Sequence, residues 1–215
     1  KELATKALNT HTTISNKTII ELSFKLMIKQ QSLSSNKHGY RYYPINLSIS
    51  QNNNQTNYTC SFTIMYSSTC PCSAALARQA IQEKFEKDHL SQENFTKDEI
   101  LTWLTKDSSI IATPHAQRSK ATITLSFTEN YSLNLSTLIK DAENVIQTAV
   151  QTVVKRQDEK LFAINNGKNL VFCEDVVRKF NQWIKNISEI TNYSIEVNHH
   201  ESLHAHNASA KIIKS

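Results

Sequence analysis

The chain has 215 residues, 39% of them hydrophobic and 20% charged, with a formal net charge of +5, enough to bury a core as one large domain or two small ones. No apolar run approaches the ~20 residues of a membrane-spanning helix, and the lysines and arginines stand singly, without the clusters or aromatic interleaving of a nucleic-acid face. Only two glycines occur, Gly39 and Gly167, which excludes the glycine-rich loops that cradle nucleotide phosphates.

Residues 1–17 are polar and weakly periodic, and the start reads as a cut. Ile20, Leu22, Phe24, Leu26 and Ile28 then alternate with Glu21, Ser23, Lys25 and Lys29, the pattern of a half-buried strand. A second strand runs from Tyr40 to Ser50, where Pro44 points to an edge or a bulge. Gln51 to Gln55 reads as a polar turn, and Tyr58 to Tyr66 as the returning strand. Ser73 to His89 reads as a helix capped by Ser73, with Leu76, Ala80 and Ile81 on one stripe. Thr96-Lys97-Asp98-Glu99 has the form of a capping box opening a short helix through Trp103. Residues 113–119 are polar and lead into a strand carrying Ala121, Ile123, Leu125 and Phe127. Ser136 is placed to cap a long amphipathic helix with Leu138, Ile139, Ala142, Val145, Ile146, Ala149 and Val153. Lys155 to Lys168 reads as a link to a helix with Val171, Phe172, Val176, Phe180, Trp183 and Ile187. Two strands close the chain, one with Tyr193, Ile195 and Val197, the other with Ala208, Ala210 and Ile212. This order predicts an α+β domain of antiparallel strands with helix pairs packed on one face, in two related halves without a visible sequence repeat.

The four cysteines, Cys60, Cys70, Cys72 and Cys173, offer no disulfide framework, and with no secretory leader the expected compartment is the cytoplasm. Asn-x-Ser/Thr triplets such as Asn54-Gln55-Thr56 therefore do not argue for glycosylation. Cys70 and Cys72 flank Pro71 at a strand-to-helix corner, beside the free N–H groups of a helix start, the setting in which a thiol serves as metal ligand or nucleophile. His199, His200, His204 and His206 crowd around Glu201, and His115 stands alone in Pro114-His115-Ala116-Gln117-Arg118-Ser119. Cysteine, histidine and carboxylate together are the ligand types of a catalytic divalent metal with an open water position. Cys60 and Cys173 supply no second pair for a closed structural zinc site.

Four stretches, in order, carry a family resemblance: Ser67 to Ser73 (Ser-Ser-Thr-Cys-Pro-Cys-Ser), His115 to Ser119, Lys155 to Lys160 (Lys-Arg-Gln-Asp-Glu-Lys) and Glu201 to His206 (Glu-Ser-Leu-His-Ala-His). Together they resemble GTP cyclohydrolase of type IB, the bacterial metal-dependent enzyme of the tunnelling-fold superfamily. The chain lacks the His-Met-Ser-Arg segment of that family, and Lys160 to Leu170 departs from its usual wording. The resemblance implies a single tandem tunnelling-fold domain over residues 1–215, associated as a homotetramer with active sites at subunit interfaces. It implies hydrolytic opening of the guanine imidazole of GTP, giving formate and 7,8-dihydroneopterin triphosphate for folate and pterin synthesis.

By motif, Cys70, His115 and Glu159 are the implied ligands of a divalent metal (zinc, manganese or iron), and Glu174 the implied purine anchor. His204 and His206 are assigned the proton delivery to the purine, with Glu201 orienting them or shuttling a proton. Cys72 is a spare ligand or supports the neighbouring thiolate. Arg118 and Lys120 are candidates for the triphosphate, by charge and closeness to His115. Expected partners are GTP and further copies of the chain, with no nucleic acid and no membrane. The competing readings are a deazapurine nitrile reductase of the same superfamily, a relative yielding a cyclic phosphate, and a non-enzymatic zinc-binding or redox-sensing protein. The reductases read Glu-Ser-Lys where this chain has Glu201-Ser202-Leu203-His204.

Overall fold

The computed structural model describes residues 1–52 and 55–215. Six strands, β1 (Lys17–Gln31), β2 (His38–Asn52), β3 (Thr56–Thr69), β4 (Ala116–Phe127), β5 (Ile190–His199) and β6 (Ala208–Lys214), form one antiparallel sheet in sequence order. Period-two alternation gives it two unlike faces. One presents Tyr43, Ile45, Phe62, Ile64, Ala121, Ile123, Leu125, Tyr193, Ile195 and Val197, all buried. The other carries polar pairs across the strands, among them Thr63 with Thr122 at 3.1 Å and Thr124 with Ser61 at 3.0 Å.

The apolar face is covered by α4 (Leu135–Ile146) and α6 (Cys173–Ile184), which bury Leu138, Ile139, Ala142 and Ile146, and Val176, Val177, Phe180 and Ile184. Burial of each such large side chain is worth about 1.5–3 kcal/mol, so this layer dominates the stability. A half-buried polar link ties α4 to β2: Glu143 accepts from the Tyr43 hydroxyl at 2.7 Å and from Arg41. Between β3 and β4 the chain makes α2 (Pro71–Asp88) and α3 (Lys97–Leu104), held together by the rings of Phe85, Phe95 and Trp103 and by the Trp103 indole N–H donating to Asp88 at 3.0 Å. The Thr96 capping box forms as expected. The expected apolar stripe of α2 does not: its buried residues are Ala74 and Ala77, and Leu76 is exposed.

Several expectations need correction. Residues 1–17 hold a helix, α1 (Glu2–Asn9), which buries Ala4 and Leu8, and the presumed link after Lys155 is α5 (Arg156–Lys168). Asn134, not Ser136, caps α4, accepting from the Thr137 N–H at 3.0 Å. That helix stops at Gln147, whose φ of 67° is left-handed, so Ala149 and Val153 lie outside it. The backbone beside Ala149 is used elsewhere: Val150 N–H donates to the Met65 carbonyl and Ser67 N–H to the Thr148 carbonyl. The 147–155 segment thus lies along the end of β3 and over β2, where a side chain at Gly39 would meet Val153 at 2.5 Å. Pro44 sits inside β2 without a bulge, just beyond the β2–β3 ladder that begins at Ile45, so it interrupts no bond on that side. The polar turn at Gln51–Gln55 is closed by Asn52 N–H donating to the Gln55 carbonyl; residues 53 and 54, and with them Asn54 of the triplet, lie outside the described residues. Among the described residues no helix is long and apolar enough to cross a membrane.

Candidate active site

The corner after β3 is built by Pro71. It occupies the first helical position of α2, where its missing N–H breaks no bond, and makes Cys70 the N-cap residue. No side chain caps this helix. Ser73, expected to do so, lies too far inside, and its hydroxyl instead accepts the backbone N–H of His115 at 3.0 Å. That bond fastens the start of β4 to the corner. Cys70 is half-buried and Cys72 exposed, and both are free thiols.

Cys70, Cys72, His115, Leu203 and His204 meet around a cavity of about 520 Å³ with an apolar wall on α2. Three separate segments supply them: the corner, the approach to β4, and the loop between β5 and β6. The Nδ1 atom of His115 is buried without a hydrogen-bond partner, a nitrogen left for a group from outside the fold. His204 and His206 do fall at a strand–strand connection, and their rings stack at 5.2 Å with planes 12° apart.

A second cavity, of about 370 Å³, is lined by Tyr66, Gln117, Arg118, Gln151, Glu159 and Phe162, among others. Here neighbouring acids have different fates. Asp158 is fully buried, accepting the backbone N–H groups of Ser34 at 2.7 Å, Ser35 at 2.9 Å and Lys155 at 2.8 Å. Burial would raise its pKa, but these donors outweigh burial and hold the carboxyl well below the usual range. Glu159 is left exposed to the cavity. Lys120 lines neither cavity; it is exposed on β4, opposite Met65 and Asn198.

Beneath the cavities the core turns polar. The Tyr66 hydroxyl lies 2.9 Å from His199 Nε2, both groups buried. Burial pushes the His199 pKa down to about 4, against the opposing pull of Glu201 and Glu174. Cys173 donates its S–H to Glu174 at 3.2 Å. Burial first, and this bond second, push the Cys173 thiol up to about 11, so it stays a neutral donor. The Glu174 carboxyl is lowered, chiefly by its own backbone N–H and then by Cys173. Ser68, Gln117 and Ser119, which the motif reading left without a role, are also buried here. Their signal lay in the alternation: Ser68 continues the buried phase of Phe62, Ile64 and Tyr66, and Gln117 and Ser119 that of Ala121 and Ile123.

The sulfur of Cys70 and the unpartnered nitrogen of His115 on one cavity are a donor set that suits a borderline-soft divalent ion. Glu159 stands apart in the adjoining cavity, and among the described residues no three His, Cys, Asp or Glu side chains gather into a ready-made ion site within one protomer.

The family model described as type I GTP cyclohydrolase folE2 matches residues 1–210. The chain is 42% identical over 208 residues to the GTP cyclohydrolase FolE2 of Pseudoalteromonas translucida, covering 96% of this chain and 68% of that protein. It is 40% identical over 213 residues to that of Hydrogenovibrio crunogenus, covering 99% and 68%. The chain thus spans about two thirds of the length of these relatives. Uricase from Arthrobacter globiformis superposes with a TM-score of 0.47 at 7% identity, covering 99% of this chain and 68% of that one, a likeness too slight to carry an argument. With a match along nearly its whole length and relatives at 40% identity, this chain belongs to the FolE2 family of type I GTP cyclohydrolases.

Proposed function

We propose that the protein is a GTP cyclohydrolase of the IB type that opens the guanine imidazole of GTP, releasing formate and 7,8-dihydroneopterin triphosphate. The product feeds folate and pterin synthesis in the cytoplasm. The observation that carries the reading is the convergence of Cys70, His115 and His204 on one cavity in a chain of this family.

Carbon 8 of guanine is a weak electrophile, so the site must both activate water and draw electrons from the ring. Cys70 and His115, with a Glu159 brought in from another copy of the chain, would hold a divalent ion (zinc, manganese or iron), whose Lewis acidity would make water nucleophilic at neutral pH. Cys72, exposed at the mouth of the cavity, is a reserve ligand or a support for Cys70. His204, on the cavity wall, delivers a proton to the purine nitrogen as carbon 8 is attacked, and His206, stacked on it, holds the ring in place. Glu201 orients this pair and passes protons. Glu174, fixed by Cys173, accepts the N–H groups of the guanine edge. Arg118, beside Glu159, meets the triphosphate, and Lys120 extends the positive charge along the same face of β4.

The domain is read as a single tandem tunnelling fold. Its sheet ends in two open edges, β1 and β6, and β1 exposes Ile19, Leu22 and Met27. Unpaired strand edges with apolar side chains favour association, which supports a homotetramer with sites completed between subunits.

Incubation with GTP under defined zinc, manganese or iron tests the reading. Pterin fluorescence together with stoichiometric formate is expected; no formate with any of the three metals would overturn it.

A further inference from the structure

Three buried side chains at the end of the sheet form a single line of hydrogen bonds that ends on Glu201. Ser68 on β3 and Gln117 on β4 face each other in register, and Ser119 lies next along β4. All three are less than 5% exposed. The Ser68 hydroxyl donates to the Gln117 carbonyl oxygen at 3.3 Å and lies 2.7 Å from the Ser119 hydroxyl. The Gln117 amide N–H donates to Glu201 Oε1.

The direction of this line follows from donor counting. Ser68 has one hydrogen and gives it to Gln117, so at Ser119 it must accept. With its carbonyl taken by Ser68, Gln117 turns its amide nitrogen toward the carboxylate; the flipped amide would set oxygen against oxygen at Glu201. At the far side, the Glu201 N–H donates to Asn207 Oδ1 at 3.1 Å, closing the loop that carries His204 and His206. One carboxylate oxygen is thereby committed to the protein. The other, Oε2, is buried with no partner, an arrangement too unfavourable to be kept without a donor arriving from outside. The pair also sits at the seam of the two cavities: Gln117 lines the one with Arg118 and Glu159, and the Glu201 loop brings His204 to the one with Cys70 and His115.

We infer that Gln117, aligned by Ser68 and Ser119, is the positioning residue for Glu201, holding it as an acceptor that offers Oε2 alone to water or substrate. This rests on the reading above that Glu201 works in turnover. It accounts for two motifs at once, since Ser68 belongs to the cysteine stretch and Gln117 and Ser119 to the His115 stretch.

The test is a double-mutant cycle in the metal-loaded enzyme. Gln117→Leu is expected to lower kcat about 10–100-fold, the usual cost of losing a supporting partner, with metal content and the affinity for a non-hydrolysable GTP analogue unchanged. Ser68→Ala, which frees the amide to rotate, is expected to lower kcat by a smaller factor in the same pattern. In a Glu201→Gln background Gln117→Leu should cost less than about 3-fold more, because linked residues are not additive. Full additivity overturns the positioning role while leaving the catalytic reading of Glu201 standing. Undiminished turnover by Glu201→Gln overturns that reading and this inference with it. Should Gln117→Leu fail to fold by circular dichroism, Gln117→Met, of similar length but with no N–H to give Glu201, takes its place in the cycle with the same expectations.

Discussion

Two rows of residues cross the helix-covered face of β3, β4 and β5, four positions apart along each strand. In the middle of the sheet the row is Phe62, Ile123 and Ile195; toward the active site it is Tyr66, Ser119 and His199. Every member of both rows is at most 4% exposed, so backbone geometry and burial are matched and only the side chains differ. The first row gains its stability from dispersion and lost apolar surface. The second must satisfy each donor and acceptor, as Tyr66 does with His199 and Ser119 with Ser68, or lose the stability that burial brings. The comparison teaches that the site is a continuation of the core in which packing has been exchanged for hydrogen bonding, on the same strands and in the same phase.

The largest effect expected is on the chemistry alone. Cys70→Ala at the end of β3 should lower formate release by on the order of 10³-fold or more, since water without an activating ion is inert at neutral pH, while the melting temperature measured without metal stays unchanged. Ile195→Ala in the middle row should do the reverse: a loss of about 2–5 kcal/mol in urea unfolding, with kcat per folded molecule preserved. An activity loss of comparable size in Ile195→Ala would erase the distinction between the rows. Glu174→Gln is expected to weaken binding of a GTP analogue by about 1.5–3 kcal/mol, the worth of hydrogen bonds to a charged group, with metal content intact; calorimetry reads both.

The smallest effect sharpens the second row by pH. Burial depresses the folded His199 pKa to about 4, below the ~6.5 of an unfolded histidine, so between these values the unfolded chain binds the extra proton. Its contribution to stability is therefore present above pH ~6.5 and is lost as the pH falls toward 4. His199→Phe should flatten the stability curve in that window, measured by urea midpoints, whatever it does to stability at neutral pH. An unchanged slope would mean that His199 is not the group responsible.

The strands were legible because an antiparallel sheet with one covered face imposes period two on the sequence, and Ala121 to Phe127 carry it openly; Ile20 to Ile28 alternate as well, although Leu22 and Phe24 of that row are exposed in the edge strand β1. The helices α1 and α5 were not legible. In α5 the sequence Arg-Gln-Asp-Glu-Lys-Leu-Phe-Ala-Ile-Asn-Asn-Gly-Lys has no sustained apolar stripe, and the helix is anchored by Asp158 bonding to Ser34 and Ser35, more than 120 positions away. The overlong reading of α4 failed for the opposite reason. Ala149 and Val153 keep helical spacing, but the backbone beyond Gln147 finds its partners on β3. In the site, the chemistry-bearing types announced themselves: thiols around a proline, histidines around a glutamate. The buried Ser68, Gln117 and Ser119 did not, since a small polar residue in a strand reads as solvent-facing until its neighbours are known.

The amino-acid order alone determined the strand pattern, the kinked cysteine corner and the kinship with a family of enzymes, because each of these is written in local spacing or in short contiguous motifs. Which side chains share a cavity was decided only when β3, β4 and the β5–β6 loop came together. Glu201 meets Gln117 across 84 positions of chain, and His115 is tied to Ser73 across 42. Contacts of that span depend on sheet register and loop closure, which no stretch of sequence contains by itself.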